Sequence, residues 1–128
     1  MQKMFLATGA SLAALAVILG AFGAHALKAR LDTTQLQVFE TAVRYQMYHA
    51  LALILLGILF DKLNPQYLNI SGYAFIAGIL LFSGSLYLLS MKEILGTQDW
   101  RFLGPITPLG GLSFIFGWVM LFVAIIKK

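Results

Sequence analysis

An all-α integral membrane protein, a four-helix bundle in a single domain spanning residues 1–128, is the fold class the sequence predicts. Three observations predict it. Of the 128 residues, 60% are hydrophobic and only 11% are charged, against roughly a quarter charged in an average soluble domain. Four apolar stretches are each long enough to cross a hydrocarbon core of about 30 Å. The charges sit in tails and short links, which leaves no length for a separate soluble core.

The first stretch runs from Met4 to Leu27. A signal peptide is the competing reading, with Lys3 as the basic start and Ala24-His25-Ala26 as an A-x-A cleavage site. The apolar stretch is long for that role, so it is read as a span. Gly9, Ala13, Ala16, Gly20 and Gly23 recur at alternating steps of four and three and fall on one narrow stripe. Small residues mark where helix backbones approach closely in lipid. Ala7, Ser11 and Ala14 form a second small face, so this helix is expected to pack on two sides.

Helix 2 is expected over residues 33–62, with Asp32, Thr33 or Thr34 as cap and Gln35 three residues after Asp32. At 1.5 Å per residue the 28 residues from Thr33 to Phe60 alone measure roughly 42 Å, which exceeds the membrane core. Its polar first half, with Glu40 and Arg44, is therefore placed at the interface. Asn64-Pro65 ends it. Helix 3 is expected over residues 70–91, capped by Asn69 or Ser71. Helix 4 is expected over residues 108–126, with Thr107 as N-cap and Pro108 at the first helical position. Trp100, in the link before it, suits an interfacial anchor.

Four crossings put both termini on one side of a multi-pass protein of the cell (inner) membrane. Lys3, Lys62, Lys127 and Lys128 lie there, against Lys28, Arg30, Arg44, Lys92 and Arg101 opposite. That balance is nearly even by the positive-inside rule; a cytoplasmic location of both termini is the expectation adopted.

Absent residues and motifs exclude several chemistries. With no cysteine there is no disulfide, thiolate metal site, iron–sulfur centre or cysteine nucleophile. HExxH, GxSxG and a phosphate-cradling glycine loop are missing, and no catalytic residue is nominated. The net charge of +4 is dispersed, which does not make a nucleic-acid footprint; membrane lipids are the implied partners. No acidic residue lies in the apolar cores of helices 1, 3 and 4. This disfavours a proton-coupled exporter built on a buried carboxylate.

The polar residues at membrane depth gather where the end of helix 1 meets the start of helix 2. His25, Glu40, Arg44, Tyr45, Tyr48 and His49 are the candidate binding residues. Ionisable groups inside a span are costly and need a partner or a role. Glu40 and Arg44, four apart, can pair on one helix face; alternatively Arg44 holds an anionic headgroup, a quinone oxygen or a partner's carboxylate. His25 at a helix end can cap carbonyls. His49, followed by Ala50-Leu51-Ala52-Leu53, is harder to explain, and a hydrogen-bonded structural histidine is the default. His25 and His49, the two histidines of the chain and expected at similar depth, could also ligate a b-type haem. A haem b or quinone site is thus the redox alternative to a site with no cofactor and no metal. Ser83-Gly84-Ser85 with Tyr87, and Gly110-Gly111 with Ser113 and Gly117, suit helix packing and interhelical hydrogen bonds.

The runs Gly20–Leu27 (GAFGAHAL), Phe39–Leu53 (FETAVRYQMYHALAL), Phe82–Leu88 (FSGSLYL) and Gly104–Gly111 (GPITPLGG) together resemble the domain-of-unknown-function 423 family. These are small bacterial membrane proteins with a eukaryotic relative called transmembrane protein 256. The resemblance implies a four-helix inner-membrane protein and no mechanism. The sequence therefore suggests a non-enzymatic accessory or interaction component, with a lipid- or partner-binding corner between helices 1 and 2. A protein partner and a homo-oligomer both stay open. The alternatives are the redox protein and a small oligomeric transporter or channel.

Overall fold

Short polar links punctuate the apolar stretches and fix the helix ends. The computed structural model describes residues 1–96 and 102–127; Asp99, Trp100, Arg101 and Lys128, with the anchor role expected of Trp100, lie outside them. Helix α1 covers Gln2–Phe22 and continues as a π-helical turn, Gly23–Leu27. Helix α2 covers Thr33–Leu59. The third crossing is composite: α3 (Pro65–Gly78), a π-helical turn (Ile79–Ser83) and α4 (Gly84–Ser90). Helix α5 covers Leu103–Ile126. These make four crossings long and apolar enough to span a membrane among the described residues, an all-α membrane bundle as expected.

Two helix starts differ from expectation. The third crossing begins at Pro65, five residues before Ile70. Asn64 caps it, accepting from the Gln66 N–H at 3.0 Å, and Pro65 occupies the first turn. Proline lacks an N–H and its fixed φ suits this position, so the Asn-Pro pair starts this helix, whereas α2 has already ended at Leu59, before the pair expected to end it. Ser71 is not a cap; its hydroxyl donates to the Gly117 carbonyl at 2.7 Å.

The fourth crossing begins at Leu103, so Pro108 lies inside it and Thr107 is not its N-cap. Pro105 costs nothing, because the first four helical N–H groups have no intrahelical acceptor. Pro108 forfeits one bond, to Gly104, near an end where that carbonyl is exposed. Thr107 instead bonds to Ser85 and to the Leu103 carbonyl, holding this turn on α4. At α2 the cap is Asp32, whose carboxylate accepts from the Gln35 N–H at 2.7 Å.

The 4–3 stripe of α1 faces α2. A Cβ on Gly9 would lie 2.7 Å from the Ala50 carbonyl oxygen, and one on Gly23 would lie 2.7 Å from the Phe39 ring. Gly20 faces Val43, and Ala16 is fully buried. The second small face finds no neighbour within the chain: Ala7, Ser11 and Ala14 are exposed. Packing on one side replaces the expected two, and α1 is the outermost helix.

On the far side α5 uses the same spacing. Gly110, Phe114, Gly117, Leu121 and Ala124 are buried against the third crossing. Phe114 sits on Gly78, and Phe75 returns the arrangement on Gly117. Phe5 reaches from α1 onto Gly72. The main core joins Phe5, Leu53, Leu56, Leu68 and Phe75; a smaller one at the other end of the bundle joins Leu27, Leu31 and Phe39.

A branched side chain at Gly9 meets backbone, which cannot rotate away. Gly9→Val is expected to destabilise the protein by about 1–3 kcal/mol. Ala14→Leu on the unpaired face is expected to stay within about 0.5 kcal/mol. Unfolding in detergent micelles measures both.

Candidate functional site

Polar groups inside a bilayer must be satisfied by protein, and α2 carries the ones that matter. Gln46 is buried; its amide donates to the Leu12 carbonyl at 2.8 Å and accepts from the Tyr87 hydroxyl at 2.6 Å. One side chain thus ties α1, α2 and α4 together. Ser83, at the end of the π-helical turn, donates to the Ala42 carbonyl at 2.8 Å. Ser113 donates to the Ala74 carbonyl at 2.7 Å. The interhelical role expected for Ser83 and Ser113 matches these bonds.

His49 is only 4% exposed. Its Nδ1 lies 2.8 Å from the Tyr45 carbonyl, and Trp118 Nε1–H donates to its Nε2 at 3.0 Å. A carbonyl only accepts and an indole N–H only donates. The two partners therefore fix the neutral imidazole with its proton on Nδ1. The ring stacks on Phe114, with centroids 3.6 Å apart and planes at 11°. Phe75 and Trp118 close around it at 5.3 and 5.8 Å.

Beside this histidine a cleft of about 360 Å³ opens sideways from the bundle, lined by Tyr45, His49, Phe82, Gly111, Phe114, Ile115 and Trp118. Its size is at the lower end of the ~300–1,000 Å³ range of ligand sites. Phe82 belongs to the π-helical turn, and such turns recur at functional sites. Gly110 packs against the Phe82 backbone. Gly111, next to it, faces Phe82 at ordinary contact distance and leaves the cleft floor open.

The structure divides the six residues nominated from sequence. Tyr45 and His49 line the cleft. Tyr48 is exposed beside it, its ring 5.8 Å from that of Tyr45. Arg44 and Glu40 continue up the outer face of α2, both exposed. The Arg44 guanidinium donates to Thr41 Oγ1 at 3.3 Å rather than pairing with Glu40. His25 is exposed in the π-helical end of α1.

His25 and His49 are not brought together. Gly9 faces Ala50 and Gly23 faces Phe39, so the two histidines are separated by about 20 Å along the bundle. They also lie on different sides of α2, since His49 faces α3 and α5. One chain does not offer both imidazoles to one haem iron, because its helices run antiparallel. No cluster of three metal-ligating side chains occurs among the described residues either.

Sequence reasoning missed Trp118, Phe82, Phe114 and Gly111, and left Gln46 out of the site. A signal for Trp118 was present: tryptophan favours membrane interfaces, and this one lies midway through the last apolar stretch. Gln46 carried the same kind of signal as a polar side chain at depth.

Fold and site together define a small polytopic membrane protein with a lateral aromatic cleft. The family model described as protein of unknown function (DUF423) matches residues 19–111, and the chain belongs to that family. It is 48% identical over 127 residues to the UPF0382 membrane protein YwdK of Bacillus subtilis (strain 168), covering 98% of each chain. To the UPF0382 membrane protein SAB0533 of Staphylococcus aureus (strain bovine RF122 / ET3-1) it is 44% identical over 126 residues, again 98% of each. No solved structure matches.

Replacing Gln46 by Leu leaves the Tyr87 hydroxyl facing a methyl group. Buried unsatisfied groups cost about 1–3 kcal/mol, and measured interhelical bonds in membranes average about 0.6 kcal/mol. Gln46→Leu is expected to destabilise the bundle by about 1–2 kcal/mol in denaturant titrations, with Tyr87→Phe less costly.

Proposed function

We propose that this protein is a non-enzymatic component of the cell membrane that binds a hydrophobic molecule entering sideways from the bilayer. The reading is carried by one observation: the cleft beside His49 opens laterally between the second, third and fourth crossings. A satisfied neutral imidazole stacked on Phe114 is a poor general base and a good wall for a planar or chain-like guest. Tyr48 lies beside the cleft wall Tyr45, and Arg44 and Glu40 continue along the exposed face of α2 above that level. His25 belongs to the far end of α1 and takes no part. In this reading both termini face the cytoplasm, and no haem or metal is used.

Photoreactive acyl lipid added to protein in mild detergent tests this. Labelled peptides are expected to contain Ile115 or Trp118 in preference to Val17 on α1. Gly111→Leu projects a side chain into the cleft without touching backbone, and is expected to cut that labelling severalfold with the helical content retained. Equal labelling of both faces, or labelling indifferent to Gly111→Leu and to Ile115→Trp, counts against the cleft as the site. A Soret band in the purified protein revives the redox alternative.

A further inference from the structure

The outer face of α2 carries an arginine at an unusual depth. Glu40, Arg44, Tyr48, Leu51, Leu55 and Ile58 form one exposed stripe. α2 ends at Leu59, where Asp61 and Lys62 mark the membrane surface. From Phe60, Arg44 is sixteen residues back, about 24 Å at 1.5 Å per residue. In a core of about 30 Å that places its Cα roughly one turn inside the opposite surface. A charge on the lipid-facing side there is costly, and among the described residues its side-chain bond is the 3.3 Å contact to the Thr41 hydroxyl. Its side chain is long enough to reach headgroup phosphates.

Arg44 lies above the level of the cleft on the adjoining face of α2, leaning onto Thr41, the residue one turn above the cleft wall Tyr45. Tyr48 lies one turn below it, and the neighbouring Tyr45 is a cleft wall. Five residues, about 8 Å of rise, separate Arg44 from His49. That is the arrangement an amphiphile needs: a guanidinium fork at the surface and an aromatic groove beneath. The tyrosine hydroxyls with partners among the described residues are those of Tyr73 and Tyr87; those of Tyr45 and Tyr48 have none there.

Resting on the reading of the cleft as a ligand site, we propose that its occupant is an anionic phospholipid. Arg44 holds the phosphate, and one acyl chain descends past Tyr48 into the cleft beside His49. Guanidinium suits a phosphate because its donors match two oxygens at once.

The test uses protein in maltoside micelles and two photoreactive lipids with the same acyl chains, phosphatidylglycerol and diacylglycerol, which lacks the phosphate. Wild-type protein is expected to be labelled at the cleft by both, with phosphatidylglycerol about fivefold to tenfold more effective. Arg44→Gln is expected to reduce phosphatidylglycerol to the level of diacylglycerol and to leave diacylglycerol unchanged. Inorganic phosphate is expected not to displace either lipid. An Arg44→Gln variant that keeps the preference for phosphatidylglycerol overturns the headgroup assignment while the cleft stands. Displacement of phosphatidylglycerol by inorganic phosphate alone overturns the phospholipid and leaves a free-anion site. Labelling of the cleft by neither lipid removes the reading on which the assignment rests.

Discussion

Phenylalanine rings seated on glycines of a facing helix set the spacing of this bundle. Lipid offers no hydrophobic drive for helices to associate, so association must come from close packing and dispersion contacts. The pairs run across successive interfaces. Phe39 lies on Gly23 between α2 and the end of α1, Phe5 on Gly72 between α1 and α3, and Phe75 and Phe114 lie on Gly117 and Gly78 between α3 and α5. Each ring needs the missing Cβ of its partner. The reciprocal pair between α3 and α5 locks register as well as distance, because sliding one helix by a turn puts both rings against side chains. Gly9 against the Ala50 carbonyl does the same work between α1 and α2 with backbone in place of a ring.

Close approach brings a second consequence. When helix backbones nearly touch, a short polar side chain on one reaches a carbonyl on the other. Gln2 donates to Gly57, Gln46 to Leu12, Ser71 to Gly117, Ser83 to Ala42 and Ser113 to Ala74. These carbonyls already accept within their own helix and use a second lone pair. No charge is buried in any of the five contacts, so none carries the desolvation cost of an ion pair. Gly117 illustrates the coupling: its hydrogen atom admits the Phe75 ring, and its carbonyl takes the Ser71 hydroxyl.

Much of this was legible because periodicity and composition report directly on lipid exposure. The four crossings, the α1 stripe and the cap at Asp32 follow from patterns within one segment. The helix starts at Pro65 and Leu103 did not, because a proline near a helix start is tolerated at several positions in the first turn. Thr107 could cap or bond to a neighbour, and only the presence of Ser85 across the interface selects the second. The site was half legible. His49 and Tyr45 announce themselves as polar groups at depth. Their partners Phe82, Phe114 and Trp118 look like ordinary lipid-facing or core aromatics until α5 is placed against α2. Pairing His25 with His49 failed for a related reason: proximity in sequence was read as proximity in depth, whereas an antiparallel hairpin carries its two arms apart from the turn.

The π-helical turn at Ile79–Ser83 explains why the cleft exists where it does. Three interactions compete for the middle of the third crossing. Gly110 of α5 draws the Phe82 backbone close, the Ala42 carbonyl of α2 draws the Ser83 hydroxyl, and Gly78 must stay under Phe114. In a regular α-helix residues 78, 82 and 83 have fixed angular offsets of about 100° per residue. One wider turn relaxes them so that all three contacts form at once. The widening leaves the Phe82 ring beside Tyr45, centroids 4.8 Å apart, with Gly111 across from it and no side chain between. The cleft is therefore the space left when a helix satisfies two neighbours whose demands are out of phase. A fold held together by glycine contacts is well suited to keep such a space open, since its helices are fixed on either side by backbone and ring rather than by side chains free to collapse inward.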